Sequence, residues 1–123
     1  MKPKVLIVED EGIVAMDIEN VLRELDCEIT GIAYTGEEAV AMARASPPDL
    51  ILMDIGLKGE IDGITAARII QESCQSAVIY LTGFADDKTL DRAQETNPLG
   101  YLTKPLDDFS LKKVIKDCLS KIN

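Results

Sequence analysis

A doubly wound α/β fold, with one five-stranded parallel sheet covered by helices on both faces, is what this sequence predicts. Three observations predict it. Short apolar runs without alternation, Val5-Leu6-Ile7-Val8 and Leu50-Ile51-Leu52-Met53 among them, read as strands buried on both faces. Between these runs, apolar residues recur at helical spacing. Strand-like and helix-like segments then alternate along the whole chain, the pattern of parallel strands joined by helical crossovers.

Each element has its own signal. Val5–Val8 ends in Glu9-Asp10-Glu11, and Val14, Ile18, Val21, Leu22 and Leu25 follow as a helical stripe. Ile29 to Tyr34 is a weaker strand. Thr35-Gly36-Glu37-Glu38 is a capping box, with Thr35 as the cap and Glu38 reaching back. Its helix buries Ala39, Met42 and Ala43 and stops before Pro47-Pro48. Asp49 to Asp54 is the central strand, and Gly56, Gly59 and Gly63 keep the loop after it open. Ile64 to Cys74 is helical, with Ile64, Ala67 and Ile70 inward. Ala77 to Leu81 is the next strand, ending at Thr82-Gly83. Asp86 caps a fourth helix to about Glu95, whose apolar stripe is thin, with Leu90 and Ala93 alone, so it is the least anchored element. Gly100 to Thr103 is a short last strand leading into Lys104-Pro105. Asp107 or Asp108 opens the final helix, striped by Leu111, Val114, Ile115, Cys118 and Leu119. Right-handed crossovers leave few topologies, and the flavodoxin-like order 2-1-3-4-5 suits five strands.

Composition bounds the function. The 123 residues make one domain, 1–123, with 46% hydrophobic and 28% charged residues, as in an ordinary soluble globular protein. A net charge of -9 argues against direct contact with nucleic acid, which needs a Lys/Arg face. There is no histidine, which excludes histidine triads and histidine metal sites. Cys27, Cys74 and Cys118 are too few and too scattered for a disulfide framework or a zinc site, and read as small hydrophobes in a reducing cytosol. No apolar run is long enough to span a bilayer, and Met1-Lys2-Pro3 leads straight into a strand rather than a signal peptide. A cytoplasmic location without a membrane partner is expected.

The predicted topology makes the first and third strands neighbours, so Glu9-Asp10 and Asp54 meet at the carboxyl edge of the sheet, where such folds bind ligands. Carboxylates converging there repel one another unless a cation sits among them. Oxygen-only ligands completed by water suit Mg2+ better than zinc. Helix capping would account for one acid after the first strand, but not for Asp54 on its neighbour. The fourth strand brings Thr82 to the same edge and the fifth brings Lys104. A carboxylate nucleophile, further carboxylates for a metal, a hydroxyl and a mobile cation are the parts that phosphoryl transfer uses.

Glu9-Asp10, Met53-Asp54, Asp62-Gly63, Thr82-Gly83 and Tyr101-Leu102-Thr103-Lys104-Pro105 together resemble the signature of the response-regulator receiver domain, from about Lys4 to Ser120. The resemblance implies that Asp54 is the phosphoacceptor, served by a histidine kinase, a phosphotransfer protein or a small phosphodonor. It implies that Asp10 and Asp54 hold Mg2+ with the backbone carbonyl of Gly56, and that Glu9 is an outer acid acting through metal-bound water. Thr82 would hydrogen-bond the phosphoryl oxygen and Lys104 would pair with it. Tyr101 resembles the aromatic that changes rotamer when Thr82 moves. A cis Lys104-Pro105 bond, aiming Lys104 at Asp54, is also implied. The output surface expected is the face of the fourth helix, fifth strand and fifth helix, which signals to a partner or an output domain. No catalysis is expected beyond the chain's own phosphorylation and dephosphorylation.

Lys58 stands where receiver domains usually have Pro, Asp62-Gly63 lies one residue further from Asp54 than usual, and Leu106 replaces a common Phe. A longer, more mobile rim follows, on which Lys58 and Glu60 are expected to contact the phosphodonor's helix. Two other functions fit less well. A small Mg2+-dependent phosphohydrolase of the haloacid-dehalogenase kind needs a second Asp two residues after its nucleophile, where this chain has Gly56. A flavodoxin-like cofactor binder would have its phosphate repelled by Glu9-Asp10-Glu11. The chain stops after the fifth helix, as either a stand-alone receiver or part of a longer protein.

Overall fold

The computed structural model describes residues 2–83 and 86–122. In chain order these are β1 (Lys4–Val8), α1 (Gly12–Glu24), β2 (Glu28–Ala33), α2 (Gly36–Ala45), β3 (Leu50–Asp54), α3 (Gly63–Gln71), β4 (Ala77–Thr82), α4 (Asp87–Gln94), β5 (Gly100–Thr103) and α5 (Asp108–Ile122). The sheet is parallel throughout, in the order β2-β1-β3-β4-β5. This is the flavodoxin-like arrangement the sequence predicts. The Lys104-Pro105 peptide is cis.

The central strands lack alternation because both of their faces are covered. Successive side chains of a strand point to opposite sides. Leu6, Val8, Ile51, Met53, Val78 and Tyr80 enter one apolar layer, with residues of α2, α3 and α4. Val5, Ile7, Leu50, Leu52, Ile79 and Leu81 enter the other, against α1 and α5. Leu50 to Met53 are fully buried. Each such side chain contributes about 1.5–3 kcal/mol by its removal from water. Truncating Ile51 to Ala would cost about 2–5 kcal/mol.

The helices differ in how firmly they hold. α1 buries Ala15, Ile18, Val21 and Leu22, and α5 buries Leu111, Ile115 and Cys118. α2 buries Ala39, Val40 and Ala43, whereas Met42, expected inward, is only half-buried against Gly31. α4 buries Ala93 alone. Polar links tie it down instead: Thr96, just beyond it, shares a hydrogen bond with the Tyr80 hydroxyl at 2.7 Å, and Tyr101 donates to Gln94 Oε1 at 2.6 Å.

One helix end differs from expectation. α3 stops at Gln71 rather than Cys74, because the Glu72 and Ser73 amides turn back to the Ile69 and Ile70 carbonyls, three residues away. In α2's capping box the Thr35 hydroxyl accepts from the Glu38 amide at 3.1 Å, while the Glu38 carboxylate accepts the Tyr34 amide at 3.2 Å. Tyr34, expected in the strand, lies just beyond the end of β2. Past α1, Asp26 is left-handed (φ 59°) and the Cys27 amide donates to Leu22, a closing turn that satisfies the helix's last carbonyls. Among the described residues, no helix is long and apolar enough to cross a membrane.

Candidate functional site

β1 and β3 pair from Val5↔Leu50 to Val8↔Met53, so the residues that follow them leave the sheet side by side. Glu9 is fixed by its amide, which donates to the Ala33 carbonyl at 3.0 Å. Its carboxylate is fully buried, and Oε2 accepts the Glu11 amide at 3.0 Å. Asp10 beside it is half-buried. The helix cap of α1 is Glu11, with no side-chain cap bond, so capping accounts for neither Glu9 nor Asp10. Carboxylate oxygens of Glu9, Asp10 and Asp54 lie within 4.8 Å of one another. Hard oxygen donors this close fit a small divalent cation such as Mg2+.

Asp54 closes β3 and is 5% exposed. Its Oδ1 accepts the Gly56 amide at 3.1 Å, and its Oδ2 lies 3.2 Å from Lys104 Nζ. Lys104 reaches it because its own amide donates to the Thr82 carbonyl at 2.8 Å, which fixes the chain just past β5. The ammonium also lies 2.6 Å from Glu9 Oε1 and 3.3 Å from Glu11 Oε1. The Glu9 contact is an ion pair by distance but off hydrogen-bond alignment, leaving Glu9 Oε1 without an aligned donor. Burial pushes the Glu9 carboxyl up to about 7, against the opposing pull of Lys104. Burial also works against the Lys104 charge, yet Glu9 and Asp54 outweigh it and raise its pKa.

Thr82 ends β4, and its buried hydroxyl has no hydrogen-bond partner among the described residues. A buried polar group without a partner is costly, and Thr82 lines a cavity of about 530 Å³ together with Asp10, Asp54, Gly56, Lys58 and Lys104. Thr82 also borders a second groove, of about 630 Å³, lined by Leu90, Gln94, Tyr101 and Thr103. Tyr101 is therefore not in the acidic cavity. Its ring lies 6.0 Å from that of Tyr80, inclined by 29°.

The sequence thus brings Glu9, Asp10, Asp54, Thr82 and Lys104 to one edge, as expected, and Gly56 to the rim of their cavity. Gly63 has a different role from the one expected. It does not open the loop: a Cβ there would lie 2.0 Å from the Asp54 carbonyl oxygen, so glycine permits α3 to start against β3. The rim after Asp54 is also more firmly seated than its length suggests. Ile55 and Leu57 are buried, and the Ile61 amide donates to Glu37 Oε1 of α2 at 3.2 Å. Two contributors were not legible. Glu11 joins Lys104 only through a side-chain conformation, and Lys58 lines the cavity rather than only facing outward. The single hint for Lys58 is a cation four residues after the buried acid.

A family model described as the response regulator receiver domain matches residues 5–116. The transcriptional regulatory protein PdtaR of Mycobacterium tuberculosis is 36% identical over 118 residues, covering 96% of this chain and 57% of that protein. The response regulator protein VraR of Staphylococcus aureus is 38% identical over 106 residues, covering 85% of this chain and 50% of VraR. The chain spans about half the length of these curated relatives. Among solved structures, the signal receiver domain of a modulated diguanylate cyclase from Desulfovibrio desulfuricans superimposes with a TM-score of 0.90 at 36% identity, over 99% of this chain and 97% of that one.

Proposed function

The chain belongs to the response regulator receiver domain family, and from that premise we propose that it accepts a phosphoryl group on Asp54 in a Mg2+-dependent reaction and signals by changing conformation. The donor is a histidine kinase, a phosphotransfer protein or a small acyl phosphate. The observation that carries this reading is the meeting of three carboxylates with Lys104 and with a buried Thr82 hydroxyl that has no partner among the described residues.

Asp10 and Asp54 would hold the metal, with the Gly56 backbone carbonyl as a further ligand and Glu9 facing it through water. Mg2+ bound there supplies the positive charge that lets an anionic phosphoryl group approach carboxylates. The chain's own residues do the rest. The Gly56 amide holds one Asp54 oxygen, which orients the carboxylate. Lys104, spread over Glu9, Glu11 and Asp54, can follow the negative charge as it grows on Asp54. Thr82 donates its free hydroxyl to a phosphoryl oxygen and, because it also borders the Tyr101 groove, carries the event to α4 and β5.

The face of α4, β5 and α5 is the surface proposed for a downstream partner, with no direct contact to nucleic acid at a net charge of -9. The chain turns over no external substrate and acts in the cytoplasm. Treatment with acetyl phosphate and Mg2+ should add one phosphoryl group by intact mass. Asp54→Asn should abolish the addition, and Asp10→Asn should reduce both Mg2+ affinity and labelling. Equal labelling of Asp54→Asn would refute the assignment.

A further inference from the structure

Among the described residues, the chain itself supplies the acidic cavity with little positive charge. Glu9, Asp10, Glu11 and Asp54 gather around a single contacting ammonium, that of Lys104, which is already shared among three of them. Lys58 lines the same cavity. Among the described residues it makes no ion pair and no side-chain hydrogen bond, and it is exposed. Its backbone is nevertheless held. Leu57 on one side is buried, and on the other Gly59 adopts φ 117°, a left-handed angle open to glycine, beside the Glu37 carboxylate of α2. The Ile61 amide then closes on Glu37.

Two residues with donors that have no partner among the described residues therefore line this cavity, Thr82 through its buried hydroxyl and Lys58 through its ammonium. Together they complement the acceptor oxygens of a phosphate dianion. We propose that Lys58 is an anion-receiving residue of this site, which draws a small dianionic acyl phosphate into the acidic cavity and contacts its phosphoryl oxygens as transfer begins. The inference rests on Asp54 as the phosphoacceptor. In the step itself an Asp54 carboxylate oxygen forms a bond to phosphorus while the bond from phosphorus to the acyl oxygen breaks. The leaving carboxylate takes the bonding pair, and no proton moves. Lys58 stays an ammonium throughout. Its part is to offset the repulsion between the incoming dianion and the carboxylates, an effect that salt screens at an exposed position.

The test compares wild type, Lys58→Ala and Lys58→Arg in Mg2+-dependent labelling by acetyl phosphate, with beryllofluoride affinity measured by calorimetry. In Lys58→Ala the KM for acetyl phosphate should rise about five-fold, with the rate at saturating donor changed by less than about two-fold. Beryllofluoride should bind correspondingly more weakly, and Lys58→Arg should restore both. Added salt should raise the wild-type KM more steeply than that of Lys58→Ala. Unchanged KM and beryllofluoride affinity in Lys58→Ala overturn the inference. So does a defect confined to transfer from a phosphohistidine protein, which would make Lys58 a partner contact. A wild-type chain that takes no label overturns the phosphoacceptor reading, and this inference with it.

Discussion

Arg92 Nη1, on α4, lies 3.0 Å from Asp62 Oδ2, the carboxylate whose other oxygen caps α3. The pair joins the helix least supported by apolar packing to the loop that follows Asp54. Arg92 Nη2 adds a bond to the Thr65 hydroxyl at 3.3 Å. Burial pushes the Asp62 carboxyl up, but the Thr65 amide and Arg92 outweigh it and hold it below its ordinary value of 3.8. Its contribution to stability is therefore present above that value and lost as pH falls through the lower, folded one. Asp62→Ala should cost about 1–2 kcal/mol in urea unfolding at pH 7, through loss of the cap and the pair. Asp62→Asn keeps a cap oxygen and should cost about 1 kcal/mol or less, since the pair is partly exposed. Equal costs would mean that the cap contributes nothing.

Gly63 and Gly12 make opposite predictions for the same change. A Cβ at Gly63 meets the Asp54 carbonyl at 2.0 Å, while one at Gly12 meets nothing within 4 Å. Gly63→Ala should destabilise by about 3 kcal/mol or more, because α3 must move off β3. Gly12→Ala, in the first turn of α1, should stabilise by about 0.4–1 kcal/mol. Denaturant midpoints of the two variants decide both.

Glu9 gives the metal-free protein an unusual pH profile. Burial raises its carboxyl from an ordinary 4.5 to about 7, so between these values the folded chain binds more protons than the unfolded one. Stability contributed here is greatest below about pH 4.5 and declines as pH rises to about 7. With chelator present, the stability of wild type relative to Glu9→Gln should fall across that window. A difference that is flat with pH would show that Glu9 is charged throughout.

Thr82→Ala removes a buried hydroxyl that has no partner among the described residues. Its unfolding free energy should therefore change by no more than about 0.5–1 kcal/mol. Affinity for a phosphoryl mimic should fall about ten-fold, the worth of a hydrogen bond to a charged group. Thr82→Ser should recover most of it. A Thr82→Ala protein that is strongly destabilised before phosphorylation would give the hydroxyl a structural role instead.

The fold was legible because the strands are buried on both faces, so Val5–Val8 and Leu50–Met53 stand out as unbroken runs against periodic helices. The strand-end residues were legible for a related reason: in a parallel sheet every strand delivers its last polar residue to the same edge. Asp10, Asp54, Thr82 and Lys104 needed only the strand order to be brought together. Gly63 was misread because its constraint is the distance to one carbonyl oxygen, which no local pattern records. Val40 is buried where Met42 was expected, and Met42 packs only partly buried against the same cluster, a difference that apolar spacing alone does not set. Glu11 and Arg92 act through the reach of long side chains across elements far apart in sequence, and neither spacing nor composition encodes that reach.

The chain has three tyrosines and no tryptophan. Without an indole to capture the excitation, its ultraviolet emission comes from those phenols alone. Two of them, Tyr80 and Tyr101, lie against each other at the β4–β5 corner, with their hydroxyls bonded to Thr96 and Gln94. The third, Tyr34, is 48% exposed beyond β2, at the opposite edge of the sheet. Two of the three emitters thus sit at the corner next to α4, and the third reports from the far edge of the sheet. The protein carries an optical probe at the corner next to Thr82, and it can be watched there in solution without a label.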